Sequence, residues 1–257
     1  MAEIVLTREE GFARVTIQRP SKRNTLTDEG IAELSAVFDE LERDPATRCV
    51  LLRGAGEEAF SAGYDLTGLS ASGPAARSDD LHALLDRIER YPYPVVALLR
   101  GYAVGGGCEL ALACDVRVAG DDVRMGMPPA RLGLVYPLAG YARFQRTVGL
   151  AAAKEIFFSG RLYTAPDCRR LGLVSVVVPA TGAEGEALAL VREIAGNAPL
   201  SLRGTKRILR HLALGPEGSS EDEGELAALF ARSLATEDLA EGKRALAERR
   251  TPIFQDR

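Results

Sequence analysis

Three glycines, Gly105, Gly106 and Gly107, run directly into a helical pattern, and a carboxylate, Glu109, falls in its first turn. A helix start offers unpaired backbone N–H groups and the positive end of the helix dipole. Bare of side chains, it lets an anionic oxygen come close. Glu109 then stands beside that oxygen, placed to move a proton. An anion hole next to a general base is one reading of Gly101–Asp115. Close packing of the helix on a strand, with Glu109 as a favourable first-turn acid, is the other. A second segment favours the catalytic reading. Phe60–Leu66 (FSAGYDL) follows a short apolar strand and a Gly-x-Gly turn at 54–56. Its glycine lies between small residues, so its backbone is able to present another N–H. Two donors from separate segments are the usual way to hold a developing oxyanion.

Other chemistries lack their residues. His82 and His211 lie among polar neighbours in helical patterns and are expected at the surface. No Gly-x-Ser-x-Gly occurs, and the glycine run lacks the Lys-Ser/Thr of a phosphate-cradling loop. It is not Gly-x-Gly-x-x-Gly, and no cluster of His, Cys and acids suggests a metal site. A net charge of −4 argues against broad nucleic-acid attraction. No apolar run approaches the ~20 residues of a membrane span, and no export signal is visible at the N-terminus. Cys49, Cys108, Cys114 and Cys168 show no C-x-x-C spacing and read as reduced, mostly buried thiols of a cytoplasmic protein.

The elements that must position these groups follow from periodicity. Residues 3–19 read as a hairpin, closed by Pro20, and Thr27 caps a helix reaching about residue 43. Short buried strands are predicted at 49–52 and 94–99, the second feeding the glycine run. Residues 67–79 are small and polar and read as a mobile loop, followed by a helix over 80–90. Strand patterns at 116–119, 123–125 and 173–178 and helical ones at 138–158 and 165–171 complete an α/β core. Beyond Pro179 only helices are predicted, near 184–196, 200–213, 222–235 and 237–249.

Together the segments resemble the crotonase (enoyl-CoA hydratase/isomerase) superfamily. Arg19–Leu26 (RPSKRNTL) resembles its R-P-x-x-x-N-A-L, Phe60–Leu66 its F-x-A-G-x-D-L, and Gly101–Asp115 its G-x-x-x-G-G-G-x-E-L-x-x-x-C-D. Leu171–Val174 and Glu241–Phe254 match the later regions, so the likeness spans nearly the whole chain in order. It implies a spiral of ββα turns with an acyl-CoA site over residues 1–197. Residues 198–257 would then be a helical region that builds trimers, often paired into hexamers. The implied substrate is an acyl-CoA thioester, with coenzyme A part of the substrate and no separate cofactor or metal. By position, the oxyanion donors fall on the N–H groups of Tyr64 and Gly106, and Glu109 is the acid/base. Lys22, Asn24, Ala62, Asp65, Gly105 and Pro129 fall on the substrate-binding path. The loop at 67–79 is expected to cover the acyl pocket.

One departure matters. A hydratase of this superfamily uses a second glutamate twenty residues after the first, and Pro129 holds that place. Pro129 has no proton to give, which puts ordinary hydration in question. The segment Met127, Pro129, Leu132, Gly133 and Tyr136 resembles the M-x-P-x-x-L-G-x-x-Y of methylmalonyl-CoA decarboxylases, in which loss of CO₂ itself generates the enolate. That branch has histidine where this chain has Tyr64. Tyr136 is then expected to orient the carboxylate or deliver a proton. Three readings follow: hydratase/isomerase chemistry, decarboxylation, and acyl-CoA binding without turnover.

Overall fold

A computed structural model describes residues 2–65, 74–215 and 221–257 of the chain. A hairpin of β1 (Ile4–Glu9) and β2 (Phe12–Ile17) leads through α1 (Asp28–Glu42), capped by the Thr27 hydroxyl, into three strand–strand–helix turns. The first holds β3 (Val50–Gly54), β4 (Ala59–Ser61) and α2 (Pro74–Arg90). The second holds β5 (Val95–Leu99), β6 (Tyr102–Val104) and α3 (Gly106–Ala113), and the third β7 (Val116–Gly120), β8 (Arg124–Gly126) and α4 (Leu138–Ser159). Each turn gives its first strand to one sheet and its second to another. The larger sheet runs β1-β2-β3-β5-β7 and the smaller begins β4-β6-β8. The chain closes the smaller sheet with β9 (Tyr163–Thr164), passes through α5 (Ala165–Arg170), and closes the larger with β10 (Val176–Val178). The helices α6 (Ala183–Ala195), α7 (Pro199–Leu214), α8 (Glu223–Leu234) and α9 (Glu237–Glu248) follow.

Strand periodicity explains why the larger sheet is covered on both faces. From β2 onward its strands pair in parallel, and β5 is buried at every position. Alternate side chains point to opposite faces. Val50, Leu52, Val95, Ala97 and Leu99 pack with α1, α2 and α3, whereas Leu51, Val96, Leu98 and Val118 meet Ala183, Ala187 and Val191 of α6.

Two expectations change. Residues 67–79 were expected to form a loop, but the backbone from Pro74 is already helical; 67–73 lie outside the described residues. Proline is favourable at a helix start, and Ala75 and Ala76 are strong helix formers, so local propensity outweighs the small-residue composition. The predicted strand at 173–178 keeps only its last half. Arg117, a buried guanidinium, takes the carbonyls of Leu173 at 2.8 Å and Cys114 at 2.7 Å, so Leu173 serves a side chain instead of a ladder.

The last helices are tied to the core by Lys206 of α7. Its ammonium, almost wholly covered, donates to the carbonyls of Ile88 (3.2 Å) and Tyr93 (3.0 Å) and to the Asp115 carboxylate (2.7 Å). Asp115 also accepts from the Val95 N–H at 2.7 Å, so the junction of α3 and β7 is held from two sides. At the terminus, Glu241 accepts from Arg244, Arg250 and the Ile253 N–H, folding the tail onto α9. Replacing Lys206 by Met leaves these acceptors without their cation. We expect a loss of about 2 kcal/mol in urea unfolding, with Asp115→Asn costing less because its partner keeps two carbonyls.

Candidate active site

Each glycine of the run has its own reason. Gly105 precedes α3 at φ +56° and ψ −122°, a conformation open to glycine, and its N–H donates to the Gly126 carbonyl at 3.0 Å. A Cβ on Gly107 would stand 2.2 Å from the Ser61 carbonyl oxygen, so α3 rests directly on the β4 backbone. A Cβ on Gly106 would meet the Tyr64 nitrogen at 3.5 Å and the Leu81 side chain at 3.2 Å. The packing reading is therefore right for Gly107, while Gly106 faces the second predicted donor. Around Tyr64, the Leu26 N–H donates to the Gly63 carbonyl and the Asp65 N–H to the Leu26 carbonyl, both at 2.9 Å. This bridge engages the Gly63 carbonyl and the Asp65 N–H, the peptide groups that flank Tyr64, and leaves the Tyr64 N–H out of the pairing with Leu26.

Glu109 is completely buried. Arg143 Nη1 donates to its Oε1 at 2.5 Å, and the Tyr136 hydroxyl donates to its Oε2 at 2.5 Å. His82 Nε2 lies 3.4 Å from Oε1. Burial alone would raise the Glu109 pKa. The nearby His82 ring, the Arg143 charge and the Tyr136 hydroxyl outweigh it, and the carboxyl is held below its ordinary range. Tyr136 moves the other way: burial, then the neighbouring Glu109 charge, push its hydroxyl well above the usual tyrosine value. At neutral pH the pair is a carboxylate and a neutral hydroxyl.

Arg143 is the group that sequence reading missed. It is buried in α4 and reaches Glu89 (2.7 Å) and Asp86 (2.9 Å) of α2 as well as Glu109 of α3. Burial would lower its pKa, but the three carboxylates raise it overall. The signal available was a lone arginine on the face of α4 that otherwise buries Gly140 and Phe144. Gly140 makes room for the site: a Cβ there would fall 2.3 Å from the Tyr136 ring and 3.3 Å from Glu109 Oε1. Tyr136 is held edge-on by Tyr141, at 6.4 Å between ring centroids. The expectation of surface histidines fails for both. His211 is buried on α7, and the His82 side chain is only 12% exposed, drawn in by the acidic cluster.

The remaining predicted positions spread around this centre. Pro129 is buried in a 3₁₀ turn over Pro129–Leu132, and the segment behind it is anchored to the helix start through Gly126. Lys22 is exposed, Ala62 donates its N–H to the Arg23 carbonyl, and Asp65 pairs with Arg19 at 3.4 Å. The Tyr64 hydroxyl bonds to Asp28. Asn24 departs from the expected ligand role. Its fully buried amide donates to the Ala55 and Ala59 carbonyls, and its oxygen accepts from the Arg19 N–H. Both amide hydrogens are spent on the fold.

Two outcomes follow for stability. Arg143→Met strands three carboxylates, one of them fully buried, and should cost about 3–5 kcal/mol in chemical denaturation. Adding Glu109→Gln should recover part of that loss. The pH dependence has a definite sign. Because Glu109 has a lower pKa folded than unfolded, its contribution is complete above the ordinary carboxylate range and fades as pH falls through the depressed value. Glu109→Gln should therefore lose less stability than the parent between about pH 7 and about pH 3, measured by urea titration.

Among the described residues no helix is long and apolar enough to cross a membrane. A sequence profile of the Enoyl-CoA hydratase/isomerase family matches residues 7–257. A Thermus thermophilus protein, provisionally named an enoyl-CoA hydratase, is 43% identical over 254 residues, covering 96% of this chain and 98% of its own. The 2,3-dehydroadipyl-CoA hydratase of Escherichia coli is 34% identical over the full length of both. The crystal structure of an enoyl-CoA hydratase/carnitine racemase from Magnetospirillum magneticum superposes with a TM-score of 0.93 at 34% identity, over 100% of this chain and 97% of that one. Three strand–strand–helix turns, a helical C-terminal region and a match along nearly the whole sequence agree: the chain belongs to the enoyl-CoA hydratase/isomerase family of the crotonase superfamily.

Proposed function

We propose that this protein is an enzyme that processes an acyl-CoA thioester through an enolate, with the N–H groups of Tyr64 and Gly106 as its oxyanion hole. The observation that carries the reading is the Glu109–Tyr136 pair, one turn inside the helix whose start faces the Tyr64 nitrogen. A developing negative charge on the thioester oxygen gains two hydrogen bonds and the positive end of α3. Losing one such donor typically costs about 3 kcal/mol of barrier. Lys22, Ala62, Asp65, Gly105 and Pro129 shape the path of the coenzyme A portion.

In the hydration of an enoyl thioester, one carboxylate serves twice. Water adds its oxygen to the β-carbon, its proton passes to ionised Glu109, and the C=C electrons move onto the thioester as an enolate. Glu109 then returns the proton to the α-carbon, so the elements of one water are added. Tyr136 holds the carboxylate and reports its charge through the shared hydrogen bond. Decarboxylation is the second reading, favoured by Pro129, which brings no carboxyl group to the place of the second glutamate. Loss of CO₂ then creates the enolate without a base.

Assembly belongs to the same reading. Leu132, Leu134, Val135 and Leu138 flank Tyr136 and are 52–83% exposed in the single chain. We read them as covered by further copies in a trimer or hexamer. Four buried, unpaired thiols suit a cytoplasmic setting.

Turnover of crotonyl-CoA, a 3-enoyl-CoA and methylmalonyl-CoA distinguishes the reactions. Glu109→Gln should lower kcat by about 10²–10⁴-fold, and Tyr136→Phe by less. Hydration of crotonyl-CoA that is lost in Glu109→Gln yet untouched in Tyr136→Phe would remove the decarboxylase reading. Tight acyl-CoA binding with no turnover across the panel would instead mark a binding protein.

A further inference from the structure

We propose that His82 is a proton relay between solvent and Glu109, supplying the titrating partner that the site lacks at Pro129. The inference rests on the enolate reading above. An ionised Glu109 accepts a proton readily from a substrate or water but has none to give. Its carboxylate has no solvent contact, and Arg143 beside it is a permanent cation. Tyr136 is a poor source, because yielding its proton would put a phenolate against Glu109. Any enolate formed without loading Glu109 first, as in a decarboxylation, still needs one proton from outside. Among the described residues, His82 is a further titratable group beside Glu109: its buried Nε2 lies 3.4 Å from Oε1, while its side chain as a whole is 12% exposed.

The surroundings of His82 suit the task. From α3 it faces Glu109; from α4 it faces Arg143, which shares Oε1 of that carboxylate. Tyr136 stands edge-on, with ring centroids 6.2 Å apart. On its own helix, Asp86 lies one turn on and pairs with Arg143, while α1 sends Asp39 to Arg87, more than a turn away. Leu81, the preceding residue, contacts Gly106, so the helix that carries His82 also forms a wall of the oxyanion hole.

The step balances. The imidazolium N–H bond of His82 breaks, its proton joins the Glu109 carboxylate, and the imidazole is left neutral. Glu109, now a neutral acid, passes the proton to the enolate α-carbon, and the enolate electrons return to form the C–H bond and the thioester carbonyl. Solvent then reprotonates His82. An imidazole is suited to this because its two ring nitrogens let it take up a proton at one and release it at the other. His82 acts through Glu109 and is thus a positioning and relay residue rather than a catalytic one.

The test compares the parent with His82→Gln and, as a check on packing, His82→Phe. The readouts are kcat and KM across pH on whichever thioester of the panel turns over, and deuterium uptake at the α-carbon of butyryl-CoA in D₂O. The relay requires that His82→Gln lower deuterium uptake at least about tenfold, lower kcat by as much on methylmalonyl-CoA where that thioester turns over, and leave KM within about twofold. Loss of activity in His82→Phe with retained deuterium uptake and kcat in His82→Gln would assign the residue a packing role and overturn the relay. A parent inert toward every thioester and unable to exchange the α-proton would overturn the enolate reading, and the relay with it.

Discussion

A carboxylate stripped of water survives as an anion only where other groups replace its hydration, and Arg143, Tyr136 and the nearby His82 ring share that task for Glu109. The guanidinium has more donors than one carboxylate can use, so it also takes Asp86 and Glu89. The single ion cluster therefore joins α2, α3 and α4, three helices contributed by three successive turns of the chain. Removing two charges from water is costly, and apolar packing of the same volume would often serve stability equally well. Retaining the cluster makes sense when the charge itself is wanted at the start of α3.

The same cluster sets a limit on the chemistry. Donors that hold Glu109 ionised also weaken it as a base, because every proton it accepts disturbs a hydrogen bond already made. A two-carboxylate site divides this conflict between two groups. With Pro129 in the second place, Glu109, Tyr136 and the neighbouring imidazole have to share it: burial raises the pKa of carboxyl and hydroxyl alike, but the donors around Glu109 bring its own down while its charge pushes that of Tyr136 further up. Pro129 and Tyr136 lie on one segment, so the position without an acid and the hydroxyl that meets Glu109 are close along the chain.

The order of strands and helices was legible because it depends on patterns that are local: the short apolar runs of β3 and β5, the Thr27 cap, the Pro and Gly stops. The glycine run and Phe60–Leu66 were legible as a pair because each carries a backbone requirement that few other residues satisfy. Arg143 and His82 were not. An arginine in an amphipathic helix and a histidine among polar residues look like surface residues until the partner helices bring three carboxylates to meet them. Asn24 has a share in the fold that its motif did not announce: its amide closes the turn on Ala55 and Ala59. The start of α2 was obscured by composition, which describes a residue's company rather than its conformation.

The parallel strands β2, β3, β5 and β7 are each separated from their neighbour by an intervening excursion of the chain, whether a helix or a whole turn. Such pairings require loops to close before they return any contact energy, so topology of this kind favours slow folding. Glu109 meets Arg143 only once α3 and α4 have docked, and Asp86 and Glu89 join them only when α2 packs alongside. The charge cluster is then a late event on the pathway, and a chain emerging from synthesis carries three mutually repelling acids until its arginine arrives.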